Sequence, residues 1–203
     1  MAHGARQEFG VLYRVDYDRG SGRSTLLVQS GFEPDWNVLP SDYLVQIDNG
    51  FSNPACKKID GSIEALEPGM RLVFKLRANP TKKIGTKSGP NGERHNGRRV
   101  ELRSEQDQLN WLRRRGEASG FQLATVRLQP DLPNVRAQDE GRRELKARGH
   151  RGNGEDRQML TFFSVLYEGE LVVADAALFR RALSEGIGPG KAYGFGLLSI
   201  ARR

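Results

Sequence analysis

Two groups of residues in this chain have the types and spacing to act on a phosphate: a glycine-rich turn carrying a lysine, and a dense run of cations. The turn is Gly186-Ile-Gly188-Pro-Gly190-Lys191-Ala-Tyr-Gly194-Phe-Gly196. Its backbone N–H groups, together with Lys191, could offer a cationic surface to a long phosphodiester, while the plainer reading is a tight turn before a last strand. It is not a nucleotide loop. A P-loop has four residues between its first glycine and the Gly-Lys pair and a Ser or Thr after the lysine, whereas here three residues intervene and Ala192 follows. A dinucleotide fingerprint opens a helix, and only seven residues remain after Gly196.

The cations are concentrated rather than spread. Residues 1–70 hold 6 Lys/Arg against 10 Asp/Glu, so the net +7 of the chain comes entirely from the remainder. Between 71 and 103, Arg71, Lys75, Arg77, Lys82, Lys83, Lys87, Arg94, Arg98, Arg99 and Arg103 face only Glu93 and Glu101. A local field of this kind is the electrostatic footprint of phosphate binding, set against the bland alternative of a solvated basic face. The acid–base side is poorer. His3 sits in a polar leader, and His95 and His150 lie in glycine-punctuated stretches with no orienting partner nearby in sequence. The single cysteine, Cys56, excludes an internal disulfide and a multi-cysteine zinc site and fits a reducing cytoplasm.

The elements that must position these groups follow from periodicity. No apolar run approaches the ~18 residues of a membrane span, and Met1 is followed by Ala-His-Gly-Ala-Arg rather than a basic-then-apolar leader, so a soluble, non-secreted protein is expected. Residues 11–30 alternate as a hairpin turned at Arg19-Gly-Ser-Gly-Arg. A short helix is expected at 62–66, stopped by Pro68-Gly69, and a strand at 71–77 with Leu72, Phe74 and Leu76 on its oily face. Residues 85–97 read as a flexible junction, followed by a strand at 99–103. A helix at 104–115 is capped by Ser104 with Asp107 and ends in Arg113-Arg114-Arg115-Gly116, which leaves open whether those arginines touch a ligand. A strand is expected at 121–129. Residues 134–157, with 7 basic and 5 acidic residues, read as an insertion from which no core can be built. From Thr161 the odd positions Phe163, Val165, Tyr167, Leu171 and Val173 stay on one face through Gly169, predicting one long strand with a bulge at that glycine. Asp175 then caps a helix with Leu178, Ala182 and Leu183 as its buried stripe, Gly186 ends it, and 197–201 is the last strand.

The second half therefore reads strand, helix, strand, strand, helix, strand, the split βαβ pattern of a ferredoxin-like domain. The first half reads as the last four elements of the same unit. The expected fold class is α+β, with two tandem ferredoxin-like (RRM-like) βαββαβ domains, the first lacking its opening strand and helix. The expected division is an incomplete N-terminal domain over 1–84, a linker over 85–97, and a C-terminal domain over 98–203 that carries the basic insertion 134–157 and the glycine loop 186–196. A central strand missing from the first domain predicts either a gap between the strand at 71–78 and the hairpin at 11–30 or that gap filled by another chain or by residues 1–10, and roughly 40–50 further residues upstream.

The glycine loop at the end of a tandem ferredoxin-like pattern resembles the repeat-associated RNA-binding superfamily of CRISPR systems. Arg77-Ala-Asn79-Pro-Thr-Lys-Lys83, the 104–115 helix with Gln108-Leu-Asn-Trp-Leu, and Tyr167-Glu-Gly169 make the chain similar to the CasE family of type I-E Cascade, from about Val11 to the C-terminus. The resemblance implies a metal-independent, cofactor-free endoribonuclease that cuts CRISPR repeat RNA beside its stem-loop by 2′-OH attack, leaving a cyclic phosphate. It implies retention on the crRNA 3′ stem-loop among other Cascade subunits, in the cytoplasm, with no membrane partner. The family's proton-transferring Tyr/His helix has no counterpart here, so no catalytic residue is carried over. The alternative is a non-catalytic hairpin-binding scaffold, and the expectation is a chain that binds hairpin RNA and cuts it poorly. An unrelated RNA-recognition domain that stacks bases on Phe162 and Phe163 is the third possibility, opposed by the core-facing phase of Phe163. The RNA-binding residues carried over are Arg77, Lys82 and Lys83 at the basic strand end, Gly188, Gly190 and Lys191 in the glycine loop, and Arg142, Arg143, Lys146, Arg148 and Arg151 in the insertion. The last five match by position and charge rather than by motif.

Overall fold

The computed structural model describes residues 9–18, 20–40, 42–45, 52–85, 97–148 and 157–202. Strands β1 (Leu12–Tyr17) and β2 (Ser24–Gln29) pair antiparallel from Leu12 opposite Gln29 to Tyr17 opposite Ser24, the hairpin that the alternation predicts. Helix α1 (Asp60–Glu64) precedes β3 (Arg71–Ala78), which is followed by β4 (Thr81–Ile84) and β5 (Arg98–Glu101). Helix α2 (Glu105–Ala118) starts where the Ser104 side chain accepts from the Asp107 N–H. Beyond it come β6 (Phe121–Leu123), β7 (Thr125–Val126), β8 (Gln129–Pro133), β9 (Val135–Arg148), β10 (Arg157–Val173), α3 (Ala176–Glu185) and β11 (Leu198–Arg202). Among the described residues no helix is long and apolar enough to cross a membrane.

The main sheet runs in the order β11-β3-β10-β6, with β9 also paired to β10. Read along the chain, β3, α2, β6, β10, α3 and β11 are strand, helix, strand, strand, helix, strand, the ferredoxin-like unit expected of this α+β chain. Its first strand is not the one expected. The sequence division assigned 71–78 to the first domain, but β3 is hydrogen-bonded on one side to β10 (Leu76 opposite Tyr167) and on the other to β11 (Leu76 opposite Leu198). The unit thus begins before the 85–97 stretch, and that stretch, flanked by the paired strands β4 and β5, joins the two arms of a hairpin. The gap expected between β3 and the β1–β2 hairpin is likewise not a gap within one sheet, because the two belong to different sheets.

Three further expectations are corrected. The strand expected at 121–129 breaks after Leu123, and its place beside β10 is taken over by β9: β6 pairs with 171–173 and β9 with 157–169. The insertion from which no core is expected therefore supplies a strand of 14 residues. Residues 142–144, where it leaves the sheet, are all exposed, and a stretch of this kind carries no hydrophobic alternation for a pattern search to find. Gly169 does not mark a bulge, since it sits in register between Phe74 and Val135. A Cβ there would lie 2.3 Å from the Asn134 carbonyl oxygen, a close backbone approach that only glycine permits. The irregularity falls instead at Ser164/Val165, where the partner strand passes from Gly141 to Asp139 and leaves Glu140 as the extra residue.

The core lies between the sheet and the two longer helices. Leu72, Phe74, Leu76 and Ala78 of β3 meet Trp111 and Leu112 of α2, Phe179 and Leu183 of α3, and Phe163, Val165, Tyr167, Leu171 and Val173 of β10, all buried. Each buried leucine, valine or phenylalanine among them contributes about 1.5–3 kcal/mol. On α3 the inner stripe is Phe179, Ala182 and Leu183; Leu178, expected there, is 43% exposed. Two of the motifs quoted above meet in this core: the Tyr167 ring stacks on Trp111 at 6.2 Å, and its hydroxyl donates to the Gln108 carbonyl. Burial pushes that hydroxyl's pKa up, so it stays protonated. The 186–196 loop packs against the same tryptophan. Gly188 has φ +80, and a Cβ on it would stand 2.9 Å from the Trp111 ring.

The β1–β2 hairpin is fastened to the other face of β3 by arginines. Arg14, 3% exposed, donates to the Lys75 carbonyl and to Ser199 Oγ. Arg77, 5% exposed, holds Glu140 through two parallel bonds of 2.7 and 2.8 Å and gives its remaining terminal nitrogen to the Val15 carbonyl. Ser164 Oγ and Arg143 also donate to Glu140. Burial alone would raise the Glu140 pKa, but the hydrogen bonds from Arg77 and Ser164 and the charges of Arg77 and Arg143 outweigh it and hold the carboxyl below its ordinary 4.5.

Removing one member of a buried pair strands the other. Glu140→Ala should cost about 3–5 kcal/mol, read as a lower urea midpoint, and the Arg77→Met, Glu140→Ala double variant should cost less than the two single changes together. Because the folded-state pKa of Glu140 is lowered, its contribution is complete above the ordinary carboxylate value and is lost as pH falls through the folded value; Glu140→Gln should flatten that acid limb. Gly188→Ala, which places a methyl against Trp111 at a positive φ, should lower stability by about 1–3 kcal/mol in the same measurement.

Candidate nucleic-acid interface

The β4–β5 hairpin sets like charges against each other. Lys83 lies directly opposite Arg99, and Lys82 opposite Val100, with Lys82, Lys83 and Arg99 all exposed. A like-charged pair directly across a hairpin is destabilising, and a bound anion reverses the sign of that interaction. Arg99 also donates to Thr81 Oγ1 at 3.2 Å, which steadies its guanidinium.

Beside Arg99 opens a cleft of about 340 Å³ lined by Arg115, Ser119, Gly188 and Lys191 among others. Three separate segments thus bring a cation to one concavity: β5, the last turn of α2 and the glycine loop. Arg115 lies over the Trp111 ring at 5.5 Å, so the tryptophan that seats Gly188 also orients an arginine at the cleft. Lys191 opens a single 3-10 turn, Lys191–Tyr193, between Gly190 (φ +83) and Gly194 (φ +81). A Cβ on Gly190 would lie 3.0 Å from the Phe195 ring. Gly188 and Gly190 therefore have a local reason in packing and positive φ, whatever the loop's outer side meets.

A second basic region lies on β9. Arg142 reaches Glu101 at the end of β5 at 3.1 Å, which ties β9 to the β4–β5 hairpin, and Arg143 reaches Glu140 at 3.2 Å. Their side chains stay 58% and 42% exposed. Burial would raise the Glu101 pKa, but hydrogen bonds and charge from Arg142 and Arg103 hold it below its ordinary value. Lys146 and Arg148 occupy the outer part of the same strand, where Arg148 is in register with Arg157. Arg151 lies outside the described residues, as do His3, His95 and His150.

One candidate is corrected outright. Arg77, expected on the RNA surface, is buried with its guanidinium committed to Glu140 and the Val15 carbonyl, so it holds the scaffold rather than a ligand. Conversely, the sequence marks Arg99 and Arg115 only in company. Arg99 was visible only as one of many cations between 71 and 103, and Arg115 only as the last of three arginines whose position already suits a helix end. Nothing local distinguishes them, because what selects them is the loop that arrives from 186–191.

A family model described as CRISPR associated protein matches residues 2–202. The chain is 35% identical over 94% of its length, and 79% of the relative's, to the CRISPR-associated endoribonuclease Cse3 of Thermus thermophilus. It is 32% identical to the CRISPR system Cascade subunit CasE of Escherichia coli over 67% of its own length and 60% of that protein's. Among solved structures, the CRISPR endoribonuclease Cse3 bound to a 19 nt RNA superposes with a TM-score of 0.70 at 34% identity, covering 98% of this chain and 84% of the other. On the match along nearly all its residues and the shared fold, the chain belongs to the CRISPR-associated protein family that contains Cse3 and CasE.

Proposed function

We propose that this protein binds CRISPR repeat RNA, cuts it beside the repeat stem-loop, and stays on the 3′ stem-loop of the crRNA as a subunit of a Cascade complex. The names of its relatives give the activity and the assembly, and the observation that carries the reading to this chain is the Lys83–Arg99 pair, whose Arg99 lines a cleft shared with Arg115 and Lys191. Exposed like charges converging from distant segments suit a phosphate backbone. The deep, narrow major groove of A-form RNA hides base edges, so a hairpin is held chiefly through shape and phosphates. Lys82, Lys83, Arg142, Arg143 and Lys191 are the contacts of this reading, with Arg99 and Arg115 added and Arg77 removed. Lys146 and Arg148 extend the same basic strand outward, and Arg151 follows them in sequence.

The chemistry of the reading is internal transesterification. The ribose 2′-oxygen attacks the adjacent phosphorus, its proton passes to a base, the bond to the 5′-oxygen breaks, and that oxygen takes up a proton, leaving a 2′,3′-cyclic phosphate and a 5′-hydroxyl. Cations around the phosphate stabilise the charge that develops on its oxygens. The substrate is cellular RNA, which places the work in the cytoplasm.

Incubating the chain with its repeat RNA in the presence of chelator, scored separately for binding and for product ends, tests the assignment. Retained hairpin is expected, with a cyclic-phosphate product formed in poor yield, and a 2′-deoxy nucleotide at the cut should abolish cleavage without loosening binding. Binding with no product under any condition would favour the scaffold alternative. The contacts are tested by salt. Replacing Lys82 and Lys83 together by Ala should weaken binding and reduce the slope of log K against log salt by roughly one to two; an unaltered slope would remove both lysines from the interface.

A further inference from the structure

Beside the lysine of the glycine loop lies a group of aromatic rings that the phosphate-binding reading does not use. Phe162 of β10 and Tyr193 of the 3-10 turn are tilted against each other with centroids 4.8 Å apart, and Phe162 also meets the buried Phe195 at 5.5 Å. Phe162 neighbours Phe163, and successive residues of a strand point to opposite faces. Phe163 is 5% exposed in the core, so Phe162 stands on the other side, outside that cluster and only half-buried, as is Tyr193. In register, Phe162 faces Arg143, whose side chain is 42% exposed. Tyr193 is two residues from Lys191, and the turn is pinned because the Tyr193 N–H donates to the Gly190 carbonyl at 2.8 Å.

We infer that Phe162 and Tyr193 form a stacking site for one unpaired nucleobase of the RNA, next to the stem that the basic residues hold. The inference rests on the RNA-processing reading above and deepens it. Two partly exposed rings fixed by a buried third, with a cation on each side along the backbone path, have the composition of a single-stranded nucleotide site, in which π-faces take any base and cations take the flanking phosphates. A stem supplies no such base, since its bases are stacked and paired; the nucleotides flanking it do. Arg143 and Lys191 stand where the phosphates on either side of that nucleotide would pass. The site therefore distinguishes a hairpin with single-stranded flanks, the form in which a repeat enters processing, from a bare stem-loop.

The test compares two RNAs built on the repeat hairpin: a blunt stem-loop, and the same stem-loop with four 2′-deoxy flanking nucleotides on each side so that nothing is cut. Base stacking predicts that the wild-type chain binds the flanked RNA about tenfold more tightly, and that 2-aminopurine at one flanking position is quenched on binding. Tyr193→Leu and Phe162→Leu should each abolish most of that preference while leaving the blunt stem-loop affinity as it was, and Tyr193→Phe should keep it. Equal loss on both RNAs, or an unquenched 2-aminopurine at every flanking position with wild-type protein, would overturn the site and leave the rings as packing. The quenching measurement needs no variant, so it decides the matter even if a substitution unfolds the loop. A wild-type chain that binds both RNAs equally overturns the nucleobase site alone, whereas one that binds neither overturns the processing reading beneath it.

Discussion

The arrangement of this protein depends on the Arg77–Glu140 pair. Arg77 lies at the end of β3, the strand flanked by β10 and β11, and Glu140 is the extra residue of the one irregularity in the β9–β10 ladder. Their two parallel bonds join the sheet to the point at which β9 departs from regular pairing. The remaining nitrogen of Arg77 takes the Val15 carbonyl, so the same guanidinium also seats the N-terminal hairpin. Three structural parts thus share one buried cation. A buried ion pair is weak evidence of net stability, but it is a strong constraint on geometry, because neither partner has a second place to go at comparable cost. Glu140 further accepts from Arg143, so the constraint reaches a side chain of the basic surface itself.

A second constraint is exercised by Trp111. It stacks on Tyr167 of the central strand, seats Gly188 of the glycine loop and lies beneath Arg115. The indole ties the core to the cleft, so the spacing between the Arg115 and Lys191 cations follows from how the loop rests on an aromatic ring. That loop has glycines where a Cβ would strike Trp111 or Phe195, and its conformation is consequently dictated from inside. The loop so shaped carries Lys191 and Tyr193 on one 3-10 turn, at a separation that the turn sets.

The charge on the surface is arranged to be completed by something else. Lys83 opposes Arg99 across β4–β5, whereas Arg142 and Arg143 are each tethered by a carboxylate and left about half exposed. Tethered arginines keep their donors aimed outward at modest entropic cost, since a planar fork loses little freedom per bond formed. The Lys83–Arg99 pair, set like charge against like charge, is the part with most to gain from an anion.

Much of the frame was legible in the residues. Alternation located the 11–30 hairpin, the β3 strand and the odd-numbered core face of β10; Ser104, Asp175 and Gly186 marked helix ends where the structure has them. These are local signals, set by backbone sterics and by the period with which one face is buried. What the sequence could not decide was partnership. β3 was placed with the wrong half because a strand's pattern states which face is buried but not which edges are paired. β9 was missed because a strand extending beyond the covered sheet needs no hydrophobic alternation. Arg77 looked like its neighbours Lys82 and Lys83, and only the arrival of Glu140, 63 residues away, turned it from a surface cation into a buried one. The same reason in reverse hid Arg99 and Arg115 until the glycine loop closed beside them. Residue type and spacing determined the elements and the sign of the charge. Which cations stay at the surface and which are consumed by the scaffold was decided by long-range pairing, because burial and partners belong to tertiary contacts rather than to any one segment.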